Sequence, residues 1–240
     1  MLEQQPPPGW GRDEITKFLD ASRANSYATF ANLKAEYAKL LGVDAANRTL
    51  VDNLLNTKDW FAGFFVLRAH SSFLAGVRLA LSGQVPEAYA ALRLSLEEAL
   101  YGFYLSKNPA SRETWLRRHD SAEHKSTVRA EFKIRNLFDA LKAANKIEAK
   151  AAGTLYDRTI DYGAHPNERA LMQALQMNKG VKQTELKVIY LMGDGAALRL
   201  CLKTAAQVGV CALGIFRLVF KERFDLVGLT NVLDQLRKDL

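Results

Sequence analysis

Trp60-Phe61-Ala62-Gly63-Phe64-Phe65-Val66-Leu67, continuing through His70, Phe73, Leu74, Val77 and Leu81 to Ser82-Gly83, is the stretch that decides the fold. Its apolar residues recur three and four apart, and the bulky ones surround much of the helix they define, so this helix is expected to be central. Asp59 stands just before it, and Pro86 fits the first turn of a second helix through Tyr89, Leu92, Leu96 and Leu100 to Leu105. Two long neighbouring helices joined by a short Gly-containing turn read as the heart of a helical bundle.

Working outward, Asp13 can cap a first helix whose apolar positions run from Ile15 to Leu40, ending at Gly42 after about 28 residues, or about 42 Å. Residues 44–55 form a short helix or turn. Pro109 opens a segment containing Trp115. The charged stretch from Arg117 to Arg135 leads into a helix ending near Lys150, with Gly153 marking a break and residues 154–162 a further turn-rich helix. Gly163 is a C-terminal signal and Pro166 the first position of the next helix, with Leu171, Met172 and Leu175 facing inward. Leu186 to Met192 is a short strand or extended linker. An apolar helix from about Ala196 to Phe220 and a last one from Asn231 to Leu240 complete an all-α chain: a single multi-helix bundle of about seven to nine helices over residues 13–240, behind a polar, proline-stiffened lead-in at 1–12.

Composition agrees with this class. Apolar residues make up 48% and charged residues 25%, which is globular rather than disordered. Six prolines and fifteen glycines are few for a loop-rich fold. The net charge of +7, from 33 basic against 26 acidic residues, permits attraction to nucleic acid or another polyanion. The N-terminus lacks the basic and apolar regions of a signal peptide, and the most apolar run, Ala205 to Phe216, is too short to cross a bilayer, so a cytoplasmic location without membrane contact is expected. Cys201 and Cys211 lie about 15 Å apart along one helix, too far for a disulfide, and read as buried thiols.

Chemistry concentrates in Arg158-Thr159-Ile160-Asp161-Tyr162-Gly163-Ala164-His165-Pro166. Pro166 disfavours helix at His165, which places the imidazole in a break between helices, and Arg158 and Tyr162 are one turn apart. Near a helix N-terminus a neutral His165 could take a proton from a ribose 2′-hydroxyl while Arg158 holds the phosphate, chemistry that needs no metal and no cofactor. A loop-tying hydrogen bond for His165 and an ion pair of Arg158 with Asp157 or Asp161 explain the same residues structurally. Arg93 and Glu97, one turn apart and followed by Tyr101 and Tyr104, form a polar seam that is either a surface ion pair or a buried, partnered site. His70, beside Phe73 and Leu74, is a half-buried core histidine or borders the site. His119 and His124 are poorly spaced for a shared ligand face, and no phosphate loop, dinucleotide fingerprint, zinc Cys pair or serine nucleophile elbow is present.

Arg158, six intervening residues and His165 resemble the signature of HEPN-type helical domains, with Arg93-Leu94-Ser95-Leu96-Glu97-Glu98 and Tyr156 to His165 as the matching parts over residues 60–176. The resemblance implies a helical and commonly dimeric protein. It also implies a metal-independent endoribonuclease with Arg158, His165 and Glu97 as catalytic residues and Arg93, Tyr162 and His70 at the substrate, or a member that binds nucleotides or proteins without catalysis. Thr159 stands where active members often carry Asn, Asp or His. The expectation is an RNA- or nucleotide-phosphate-binding protein, and the alternative is a non-enzymatic helical interaction protein or scaffold.

Overall fold

The computed structural model describes residues 6–55, 57, 60–179 and 184–240. Along the chain run α1 (Glu14–Asn32), α2 (Lys34–Asp52), α3 (Trp60–Leu81), α4 (Val85–Lys107), α5 (Pro109–Leu116), a 3-10 turn (Arg117–His119), α6 (Ala122–Glu131), α7 (Ile134–Ala144) and α8 (Lys146–Thr159). A π-helical turn (Ile160–Ala164) follows, then α9 (Glu168–Gln173), β1 (Leu175–Lys179), β2 (Thr184–Val188), α10 (Ala196–Arg217), α11 (Lys221–Leu226) and α12 (Leu229–Lys238). The class is all-α, with one small antiparallel hairpin pairing Leu175 with Val188.

Among the described residues there are twelve α-helices rather than seven to nine. Two of the unforeseen breaks carry no proline or glycine. The first long helix is cut at Leu33, whose backbone leaves the helical region at φ −113° and ψ 51°, and α2 then runs past Gly42 to Asp52. Gly42 is no terminator: a Cβ there would crowd the tip of Leu236 on α12, so the missing side chain admits a neighbouring helix. The second unforeseen cut is at Asn145, whose Oδ1 accepts from the amides of Ile147 and Glu148 and so caps α8. Gly153 lies inside that helix. α9 begins at Glu168 behind an Asn167 cap, so Pro166, expected as its first position, lies outside the helix. Leu171 and Met172 are each 60% exposed, because α9 and the hairpin sit on the rim rather than against the core. Asp59, which stands just before α3, falls outside the described residues.

α3 and α4 form the central hairpin, and α10 packs on both of them and on α2. The chain reverses over Gly83, whose φ of +84° is left-handed and where a Cβ would overlap the backbone of Met192, so both conformation and space call for glycine. Phe73, Tyr89, Leu92, Phe103 and Phe216 are fully buried between these helices. Burial of a side chain this large is worth about 1.5–3 kcal/mol. One contiguous apolar cluster runs from Leu33 to Leu233.

Two helices, Trp60–Leu81 and Ala196–Arg217, are long and apolar enough to cross a bilayer by length and composition. The apolar character of α10 therefore extends beyond the Ala205–Phe216 run, which alone is too short to span. Within its most apolar window 78% is buried by the rest of the chain, the packing of a core helix, against 39% for α3. Cys201 and Cys211 are free and buried, and burial pushes both thiols up to about 12.

Candidate functional site

Two polar arrangements flank α8. Tyr156 and Arg158 are two residues apart, which turns their side chains about 200° around the helix. Tyr156 faces α4 and Arg158 faces α10.

On the α4 side the polar seam is closed by Tyr156. Arg93 Nε donates to Glu97 Oε1 at 2.8 Å, Arg93 Nη2 donates to the Tyr156 hydroxyl at 2.7 Å, and that hydroxyl donates to Glu97 Oε1 at 3.0 Å. The guanidinium also lies over the Tyr156 ring at 4.8 Å, and Phe138 meets the ring edge-on. Arg93 and Glu97 are therefore a half-buried ion pair with a third partner, not a solvated one. Burial, with the neighbouring Glu97 charge, pushes the Tyr156 phenol up to about 12. Burial opposes the charge on Arg93, but Glu97 and Tyr156 more than offset it and hold the guanidinium above its ordinary value. The three groups satisfy one another.

On the α10 side Arg158 Nη1 donates to Gln207 Oε1 at 2.7 Å and to Thr204 Oγ1 at 3.3 Å. Both acceptors are neutral. Asp161, one of the two acids considered as its partner, pairs with Arg169 at 3.3 Å instead. Among the described residues no carboxylate lies within ion-pair range of Arg158. Behind it the Tyr89 hydroxyl is sealed close to Thr204 without a hydrogen bond of normal geometry, and burial raises the phenol beyond the ordinary tyrosine range.

Arg158 stands at the inner part of a groove of about 760 Å³ between α8, α10 and the end of α12. Lys146, Lys150, Thr154 and Arg158 follow one another at four-residue intervals along its α8 edge, a rise of about 6 Å per step. Leu155, Val210 and Cys211 form the buried floor, and Ile147, 79% exposed, stands at the mouth. Glu148, almost fully buried in the first turn of α8, is held by Arg237 from α12, so the one acidic side chain among the described residues of the groove is already paired. The basic row was present in the sequence, but a helix end placed at Lys150 and a break at Gly153 divided it between two elements and hid the four-residue spacing.

The other candidates are dispersed. His165 has the extended backbone that Pro166 demands, with φ −133° and ψ 147°, and is exposed. Its carbonyl accepts from Asn167, and no hydrogen bond, ion pair or ring contact joins its side chain to Arg158 among the described residues. Tyr162 lies between them in sequence, its ring 5.5 Å from that of Tyr89 and under the Arg169 guanidinium. Gly163 is pressed so closely on Pro86 that a Cβ would overlap its backbone, which fixes the π-helical turn against the start of α4. His70 faces α2, where Nε2 and Asp44 Oδ1 are 2.7 Å apart. Asp44 loses solvation there, but Arg48 and His70 hold its carboxyl below the usual range. The structure thus brings Arg93 and Glu97 together, sets Arg158 on the opposite side of α8, and puts His70 on another face. Among the described residues no three His, Cys, Asp or Glu side chains cluster as a metal site would require.

No family model matches the chain, and neither a curated protein nor a solved structure matches it, so any functional reading has to stand on the groove and the side chains just described.

Proposed function

We propose that this protein binds phosphate-bearing ligands, RNA and nucleotides among them, along the basic edge of the α8–α10 groove. The observation that carries the reading is the half-buried Arg158 charge, which among the described residues meets only neutral acceptors while Lys150 and Lys146 continue the positive row. A guanidinium in that setting gains a charge-assisted hydrogen bond from any phosphate oxygen that reaches it. The proposal keeps the binding half of the expectation; catalysis by Arg158 and His165 would need the two to meet.

Anisotropy titration with labelled single-stranded RNA tests this. Three phosphate contacts give a slope of log K against log salt of about −2. Arg158→Gln should weaken binding about tenfold and lower the slope in magnitude by about 0.7, as one lost phosphate contact requires. Equal binding by native protein and Arg158→Gln, Lys150→Gln removes the reading. The same RNA incubated in EDTA reports on cleavage, and product that disappears in His165→Ala would restore the ribonuclease.

A second reading, a protein-interaction surface, is favoured by the solvent side of α3, where Trp60, Phe64, Leu67 and Leu74 are all exposed along one stripe. Its simplest occupant is a second copy of the chain. Sedimentation equilibrium should then show a dimer that Phe64→Glu dissociates.

A further inference from the structure

We infer that the body of the ligand held in the α8–α10 groove is an aliphatic chain, so that the groove selects a phosphate-headed amphiphile over a nucleotide. This rests on the phosphate-binding reading and deepens it. A nucleobase is recognised by stacking on aromatic rings and by hydrogen bonds to its edges. The floor of this groove offers neither: Leu155, Val210 and Cys211 are aliphatic or thiol, and among the described residues no aromatic side chain lines it.

The polarity of the lining is segregated in the way an amphiphile requires. Cations occupy the α8 edge, ending at Arg158, while Ile147 leaves most of its side chain in water for want of anything to cover it. Glu148, which would repel an anionic head, is satisfied by Arg237 and contributes no free negative charge. A volume of about 760 Å³ falls in the range of small-molecule sites and accommodates a medium-length alkyl chain. In such a complex the phosphate oxygens accept from Arg158 and Lys150, the chain lies on Leu155 and Val210, and Ile147 closes over it.

Calorimetric titration of the full chain with n-octyl and n-decyl phosphate, each below its micelle concentration, tests the assignment against inorganic phosphate, AMP and n-decyl maltoside. Each added methylene should tighten binding about two- to fourfold, the lower value applying if the chain is half covered. Decyl phosphate should bind more tightly than both AMP and the uncharged maltoside. Ile147→Ser, at an exposed position that leaves the fold intact, should flatten the chain-length dependence, whereas Arg158→Gln should weaken both alkyl phosphates by the same factor. Octyl phosphate, decyl phosphate and AMP binding alike would overturn the aliphatic assignment while leaving phosphate recognition standing. Maltoside binding as tightly as decyl phosphate would overturn the head-group half of the assignment. Failure of every phosphate to bind would remove both proposals together.

Discussion

Tyr156 shows what one hydroxyl does for a pair of charges. By accepting from Arg93 and donating to Glu97 it completes a closed set of hydrogen bonds beneath the Phe138 ring. Tyr156→Phe should cost about 1–2 kcal/mol, and Arg93→Ala about 2–3 kcal/mol because Glu97 then keeps its charge half-buried with only the phenol beside it. Urea denaturation of the two single variants and the double variant would give a coupling above 0.5 kcal/mol, as expected for groups in contact. Glu98, next along α4, behaves differently. Burial holds its carboxyl above the ordinary 4.5, and Arg68, 3.5 Å away, only partly offsets this. A raised folded-state value means that folding favours the proton, so the stability tied to Glu98 is full below pH 4.5 and is lost as pH rises through the folded-state value. Glu98→Gln should therefore raise the melting temperature at pH 7 by roughly 1–3 °C, with the gain vanishing towards pH 4. The Arg93–Glu97 seam was legible in the sequence because both residues lie on one helix at a fixed spacing. Tyr156 as its partner was not, since 59 residues separate it from Glu97 and only tertiary packing brings them together.

Glycine carries opposite meanings in two of the elements. At Gly163 the backbone of Pro86 occupies the place of a Cβ, and backbone cannot yield as a side-chain tip can. Gly163→Ala should cost about 1–3 kcal/mol by prising the π-helical turn from α4. At Gly42 the obstacle is only the end of Leu236, and the position is in the middle of a helix, so alanine gains about 0.8–1 kcal/mol of propensity against the displacement of one methyl. Gly42→Ala should be within about 1 kcal/mol of native, and thermal melts of the two variants would show the contrast. The period of three and four made α3, α4, α10 and α12 readable within a few residues. The breaks at Leu33 and Asn145 were not readable, because each depends on a tertiary demand or on a side-chain cap rather than on a helix-breaking residue. Misplacing the start of α8 also concealed the basic row, so the error in an element boundary became an error about the site.

At the scale of the whole molecule, the class and the central α3–α4 hairpin followed from patterning, while the groove required α8, α10 and α12, separated along the chain by the α9–hairpin segment and α11, to be brought together by packing. A net charge of +7 does not say where the charge is concentrated. The fold does, by using Arg237 to neutralise Glu148 while, among the described residues, Arg158 meets no acid. The amino-terminal helix stands apart from this economy of contacts: Thr29 is its one buried residue, and Asn25 ties it down by donating to the carbonyls of Ser82 and Met192, 2.7 and 3.0 Å away. Gly83, which accepts from the Met192 amide, belongs to the same junction, so a single carboxamide clasps segments drawn from three distant parts of the chain. Replacing Asn25 with alanine should leave the melting of the bundle nearly unchanged yet let trypsin nick at Arg23 or Lys34 well before the interior is attacked, which timed digestion with mass spectrometry would resolve. The first helix is in that sense a detachable strap, and its buckle is one amide group.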